Sequence, residues 1–152
     1  MLGDNLSFNY PKDVRFECTR CALCCGDTDT RVRHILLLQH EAETISRITS
    51  KPIEEFARKT TGRRPYAYEM KKTATKGKCQ FLKDKTCIIY RSRPLICKFY
   101  PFQLKTARTG QGTFSNTKEC LGVGKGVQLR RSYFEVLFEE AYDRLTAERC
   151  QA

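Results

Sequence analysis

Four thiols fall within eight residues in Cys18-Thr-Arg-Cys21-Ala-Leu-Cys24-Cys25. Two intervening residues let one tight turn aim successive sulfurs at a common centre, and the C-x2-C-x2-C rhythm opens a bacterial ferredoxin-type cluster site. Zinc ribbons also use C-x2-C pairs. Cysteines serving only as small buried hydrophobes have no reason to recur at every third position, so the spacing points to metal ligation. Adjacent Cys24 and Cys25 point in different directions in regular backbone. Either they serve different centres, or one is a ligand and its neighbour is not.

Cys79, Cys87, Cys97, Cys120 and Cys150 bring the total to nine in 152 residues. Eight precede the C-terminal segment and would fill two four-thiolate sites, leaving Cys150 as a structural thiol near the end of a helix. A disulfide framework fits poorly. The count is odd, and Met1 to Arg20 carries Asp4, Asp13 and Glu17 without the apolar stretch of a secretory segment. The longest purely apolar run, Ile35 to Leu38, is too short to span a bilayer. The expectation is a cytoplasmic protein without membrane contact, in which thiolates stay available to metal.

The formal net charge is +11. Two four-thiolate centres, each about −2 overall, would lower it to about +7. Between Lys59 and Arg108 there are fourteen Lys and Arg against only Glu69 and Asp84. This basic segment reads first as a solvated face or as compensation for thiolate clusters, and second as a surface for RNA, with Tyr66, Tyr68, Phe81 and Tyr90 interleaved.

The elements that must position the thiols follow from pattern. Val32 to Leu36 predicts a strand. Leu38, Ala42, Ile45 and Ile48 predict a helix, and Ile53, Phe56 and Ala57 predict a short second one that starts near Ser50 and Pro52 and ends at Gly62. Cys79 to Lys83 and Cys87 to Tyr90 flank Asp84-Lys85, a tight hairpin whose cysteines approach each other across its base. Cys97 falls between Pro94 and Pro101 in a rigid apolar segment, where Phe99, Tyr100 and Phe102 are core residues or a shell limiting solvent access to a metal. Cys120 introduces Leu-Gly122-Val-Gly124-Lys-Gly126, which lacks P-loop spacing. It predicts a close backbone approach, with the Gly122 and Gly124 amides available to cluster sulfur. Phe134, Leu137, Phe138, Ala141 and Leu145 predict a C-terminal helix over about 129–149. The whole reads as a small single α+β domain with an irregular cysteine-rich core, short strands, two helices in the first half and one at the end. His34 and His40 read as surface or packing residues, and no catalytic base or nucleophilic triad stands out.

Phe16-Glu-Cys18 through Cys25-Gly26, Gly77-Lys-Cys79-Gln-Phe81-Leu82, Cys87-Ile-Ile-Tyr90-Arg-Ser-Arg93-Pro94-Leu-Ile-Cys97 with Tyr100-Pro101-Phe102, and Cys120-Leu-Gly122-Val-Gly124-Lys-Gly126, spanning about 16–126, together resemble the CxxCxxCC cysteine-cluster family. These are YkgJ-like zinc- or iron-chelating domains related to flagellin lysine N-methylase. The resemblance implies metal ligands at Cys18, Cys21, Cys24, Cys25, Cys79, Cys87, Cys97 and Cys120, with Arg93 and Pro94 accompanying them. No G-x-G-x-x-G segment and no C-x3-C-x2-C spacing is present for a methyl-donor site.

Two classes of function follow. One is an iron–sulfur module, with one or two 4Fe-4S clusters tuned by Tyr100, Gly122 and Gly124, serving electron transfer or redox catalysis with a protein partner. The other is a zinc-stabilised module whose basic segment contacts RNA or an acidic protein. A part in protein lysine N-methylation is a third reading. The triplet spacing and the aromatic residues favour iron.

Overall fold

The computed structural model describes residues 7–19, 23–28, 31–74, 77–107 and 111–151. In chain order the strands are β1 (Phe8–Asn9), β2 (Arg15–Phe16), β3 (Leu36–Leu37), β4 (Ala57–Lys59), β5 (Tyr68–Met70), β6 (Leu82–Lys83), β7 (Thr86–Cys87), β8 (Phe102–Thr106), β9 (Gly112–Asn116) and β10 (Val123–Gln128). The helices are α1 (Gln39–Thr49), α2 (Ile53–Phe56), α3 (Leu95–Phe99) and α4 (Arg131–Gln151). The class is α+β, with short strands. The described residues gather into two compact units, one from positions 1–21 and 99–143, the other from 22–98 and 144–152.

In the second unit, β5 is the middle strand of an antiparallel sheet ordered β3-β5-β4. α1 follows the expected period, but its buried stripe ends at Ile45, and Ile48 is 50% exposed. Ser50 closes the helix in the left-handed region, and Pro52 opens α2. The second helix is shorter than its pattern predicts. Ala57 leaves helical geometry and pairs with Met70, so Arg58 and Lys59 become strand residues facing solvent. Ladder bonds to β5 replace helical ones and bury Ala57, a tertiary gain that outweighs local propensity. The strand expected at Val32–Leu36 pairs only at Leu36 and Leu37, with Val32 61% exposed.

The hairpin forms as β6 and β7, with Asp84 and Lys85 both at positive φ. That is the two-residue turn whose twist suits antiparallel strands. Cys87 lies opposite Leu82, so Cys79 is not its partner across the base. The segment after Pro94 is helical, not extended. Cys97 and Lys98 donate to the Pro94 carbonyl at 3.0 and 3.1 Å, because proline is tolerated at a helix start, where no intrahelical N–H is needed. The core of this unit runs through Ile35, Leu37, Ile45, Phe56, Met70, Phe81 and Ile89 and includes Cys79.

A buried carboxylate ties these elements together. Glu41 is 5% exposed. Its Oε1 accepts the Leu38 N–H at 2.9 Å, at the start of α1, and its Oε2 accepts the Leu95 N–H at 2.6 Å, at the start of α3. Arg144 of α4 donates to the same Oε2 and, at 3.2 Å, to the Arg93 carbonyl.

In the first unit β9 is central, parallel to β1 and antiparallel to β8. Aromatic rings fill its core: Phe8 stacks on Phe138 at 5.1 Å between centroids, and Phe102 meets Phe134 edge-on at 5.0 Å. Phe99 stacks on Phe114 at 5.9 Å. Phe99 and Phe102 thus take the core role weighed for them. Phe134, Leu137, Phe138 and Ala141 of α4 are buried as the stripe predicts. The helix itself runs two residues later at each end than its pattern suggests.

Removing one member of a buried ion pair strands the other charge and typically costs about 3–5 kcal/mol. Glu41→Ala is therefore expected to lose stability of that order in urea denaturation of the reduced protein. Glu41→Gln, which keeps the shape and one acceptor, should lose less. A change below about 1 kcal/mol for Glu41→Ala would contradict the anchoring role.

Candidate metal centre

Four places in the chain deliver thiols to the second unit. Cys24 and Cys25 lie on a single 3-10 turn, Leu23–Cys25. The turn is strapped to the Cys79 segment: Cys79 N–H donates to the Cys25 carbonyl at 2.6 Å, and Asp27 N–H to the Gly77 carbonyl at 2.9 Å. Gly26 must be glycine here, since a Cβ would lie 2.6 Å from the Gly77 carbonyl oxygen and 2.9 Å from Lys78 Cα. Cys87 comes from β7 and Cys97 from α3. Cys79 is a core residue, and Cys25, Cys87 and Cys97 pack against the same core.

The electrostatics of the five thiols are shared. The Cys24 and Cys25 sulfurs lie 3.8 Å apart. The two thiols share a hydrogen bond in which either can be the donor; with Cys25 as donor, that bond, helped by Arg33 and against burial, lowers Cys24 to about 6. Cys25 correspondingly holds its proton more tightly, through that bond first, then burial, then repulsion from Cys24, Cys97 and Cys79. Burial pushes Cys79 up to about 11 and Cys97 up to about 12, and it also raises Cys87. Each of the three is raised further by neighbouring thiols of the same group. The five sulfurs therefore lie within electrostatic reach of one another, and ionising them together without a cation is unfavourable.

Cationic side chains border the group. Arg33 Nε donates to the Cys24 carbonyl at 3.2 Å and its Nη2 to the Ile96 carbonyl at 3.4 Å. Arg93 lies over the Tyr90 ring, 3.8 Å from its centroid, and donates from Nε to the Tyr90 carbonyl at 3.0 Å. Its charge favours the thiolates of Cys24 and Cys87. Asp27, held below the usual carboxylate range by Lys72 first, accepts the Lys72 ammonium and the Arg33 N–H, each at 2.7 Å. Arg33 belongs to no cysteine motif. Its only signal in the sequence is a basic residue shortly after the cysteine cluster.

Cys18 and Cys120 belong to the first unit, where Cys18 is exposed and Cys120 buried. The close approach expected of the glycine stretch occurs at Gly122, whose carbonyl accepts the Glu17 N–H at 3.0 Å; a Cβ on Gly122 would fall 2.2 Å from the Glu17 carbonyl oxygen. Gly124 and Gly126 adopt positive φ where β10 bulges against β2. Tyr100 is partly buried in the same unit. Cys21 lies outside the described residues, as does the side chain of Cys150. His34 is exposed and pairs with Glu69, and His40 is the second residue of α1.

Among the described residues, no three Cys, His, Asp or Glu side chains enclose an ion as they stand. The donor set of the second unit nevertheless fits a soft metal. Five cysteine sulfurs suit zinc or iron. Four sulfurs held about 2.3 Å from one ion stand about 3.8 Å apart, which is the separation of Cys24 and Cys25.

Residues 17–121 match the CxxCxxCC family, described as "Putative zinc- or iron-chelating domain". The chain is also 30% identical over 112 residues to "Uncharacterized protein MJ0661" of Methanocaldococcus jannaschii. The aligned stretch covers 70% of this chain and 54% of that relative, so the chain spans about half the length of the curated protein it matches. No solved structure matches it. No helix is long and apolar enough to cross a membrane, among the described residues.

The thiols give the metal-free, reduced protein a distinctive pH dependence. Cys24, lowered from 9.0 to about 6, contributes stability present above pH 9 and lost as pH falls toward 6. Cys79 and Cys97, raised from 9.0 to about 11 and 12, contribute stability present below pH 9 and lost as pH rises through that range. Urea midpoints under argon should peak near pH 9. Cys97→Ala should flatten the alkaline limb, and a midpoint still rising at pH 11 would contradict this assignment.

Proposed function

We propose, since this chain belongs to the CxxCxxCC family, that it is an iron-binding electron-transfer module whose centre is held by thiolates of the second unit. The observation that carries this reading is packing: Cys79 lies in the core of the second unit, Cys25, Cys87 and Cys97 pack against that core, and the Cys24 sulfur lies 3.8 Å from that of Cys25. Cys79, Cys87, Cys97 and one of the vicinal pair make the four ligands an iron–sulfur cluster takes. When bound, such a group would supply one-electron transfer. The chain's own residues would supply its surroundings. The core against which Cys79 packs limits water, and Arg33 and Arg93 offset the negative charge of the thiolates. The partner would be a protein, and the net charge of +11 favours an acidic one.

A second reading is a zinc-stabilised module. The 3.8 Å separation of Cys24 and Cys25 favours it, because both sulfurs can then bind one ion. Cluster ligands each bind a separate iron and stand farther apart.

Anaerobic purification followed by iron, acid-labile sulfide and zinc analysis separates the two. Matching iron and sulfide with broad visible absorbance that dithionite bleaches reversibly is the expected result. A colourless protein containing zinc alone would overturn the electron-transfer reading. In either case Cys79→Ser, Cys87→Ser and Cys97→Ser should lower metal content and soluble yield together, since ligation free energy is largely folding free energy in a small metallo-domain. Cys150→Ser should change neither.

A further inference from the structure

Arg33 belongs to no cysteine motif, yet it touches two of the segments that carry the thiols. Its Nε donates to the carbonyl of Cys24 at 3.2 Å, and its Nη2 donates at 3.4 Å to the carbonyl of Ile96, the residue before Cys97. These carbonyls lie 72 residues apart in the chain, one on the 3-10 turn and the other inside α3. A planar guanidinium spans two acceptors at once, whereas an ammonium is a point donor.

The backbone of Arg33 is pinned as well. Its N–H donates to Asp27 Oδ1 at 2.7 Å, and its carbonyl accepts from Lys72 Nζ at 3.1 Å. Lys72 also bonds the same Asp27 oxygen at 2.7 Å. Asp27 is fixed in turn by its N–H to the Gly77 carbonyl, two residues before Cys79. The approach of the Arg33 side chain is therefore set by a closed network joining the Cys24–Cys25 turn, the segment leading to Cys79 and α3.

We propose that Arg33 is the positioning residue of the thiol site, clamping the Cys24 and Cys97 segments at fixed separation and placing its charge beside the sulfurs they carry. This rests on the reading of the second unit as a metal site. Outer groups that orient metal ligands typically account for 10–100-fold in affinity. The clamp acts through the carbonyls beside the ligands and leaves each thiol free to bind.

The test uses the full-length chain, reduced and stripped of metal under argon, titrated with Co²⁺ against a competing chelator. The thiolate-to-cobalt charge-transfer band reports how many sulfurs bind. Arg33→Gln is expected to weaken Co²⁺ binding 10–100-fold and to lower the band intensity per bound cobalt. Arg33→Lys, which keeps the charge but not the fork, should fall between Arg33→Gln and the parent chain. Thermal melts of the metal-free variants accompany the titrations.

Parent-like affinity and band intensity in Arg33→Gln would overturn this inference while leaving the metal site intact. So would a loss of affinity matched by an equal loss of metal-free stability with unchanged band intensity, which a merely structural role produces. If Arg33→Gln does not fold, Arg33→Lys decides: parent-like binding by it overturns the clamp. A parent chain that binds no Co²⁺ would overturn the metal-site reading and this inference with it.

Discussion

Burying a carboxylate away from water is unfavourable unless both oxygens find donors, and Glu41 finds them in three places. One oxygen is taken by the N–H that opens α1; the other is shared between the N–H that opens α3 and the guanidinium of Arg144. Helix starts expose N–H groups without intrahelical partners, so one anion satisfies two such starts. Arg144 keeps that anion from standing alone. It also reaches the carbonyl of Arg93, just before Pro94 and α3. The position of Cys97, in the first turns of that short helix, is inherited from this arrangement.

The same unit uses cysteine as core material. Cys79 sits among Phe56, Phe81 and Ile89, and Cys25, Cys87 and Cys97 line the cluster. A thiol packs well as a small hydrophobe, but burial raises the cost of ionising it. Cys79, Cys87 and Cys97 accordingly resist losing their protons, while Cys24 and Cys25 share one between them. The packing that stabilises the metal-free chain is thus the packing a bound cation would reorganise electrostatically. Were these thiols to ligate a metal, folding and ligation would draw on the same atoms, and metal affinity would contribute to stability.

The CxxCxxCC stretch is divided by the fold. Cys18 lies in the unit with Cys120, beside the tight contact of Gly122 with Glu17, whereas Cys24 and Cys25 lie in the unit with Cys79, Cys87 and Cys97. Spacing along the chain runs Cys18, Cys24 and Cys25 together as one stretch, and the fold draws that stretch from two compact units.

The sequence by itself determined the features that rest on local chemistry. Thiol spacing marked a cysteine-cluster chain, the 3.6-residue stripe marked α1 and α4, Asp84-Lys85 marked the hairpin turn, and Gly122 marked a close approach. Each depends on a few neighbouring residues whose backbone or period leaves one economical solution. Tertiary structure alone decided where α2 stops, since Ala57 becomes a strand residue only because β5 is there to pair with it. It also decided that the segment after Pro94 is helical, because Glu41, 54 residues away, caps its first N–H. Arg33 and Arg144 carry no motif. Their roles arise from acceptors that folding brings from distant parts of the chain, and separations of 63 and 103 residues leave no periodic trace in a sequence.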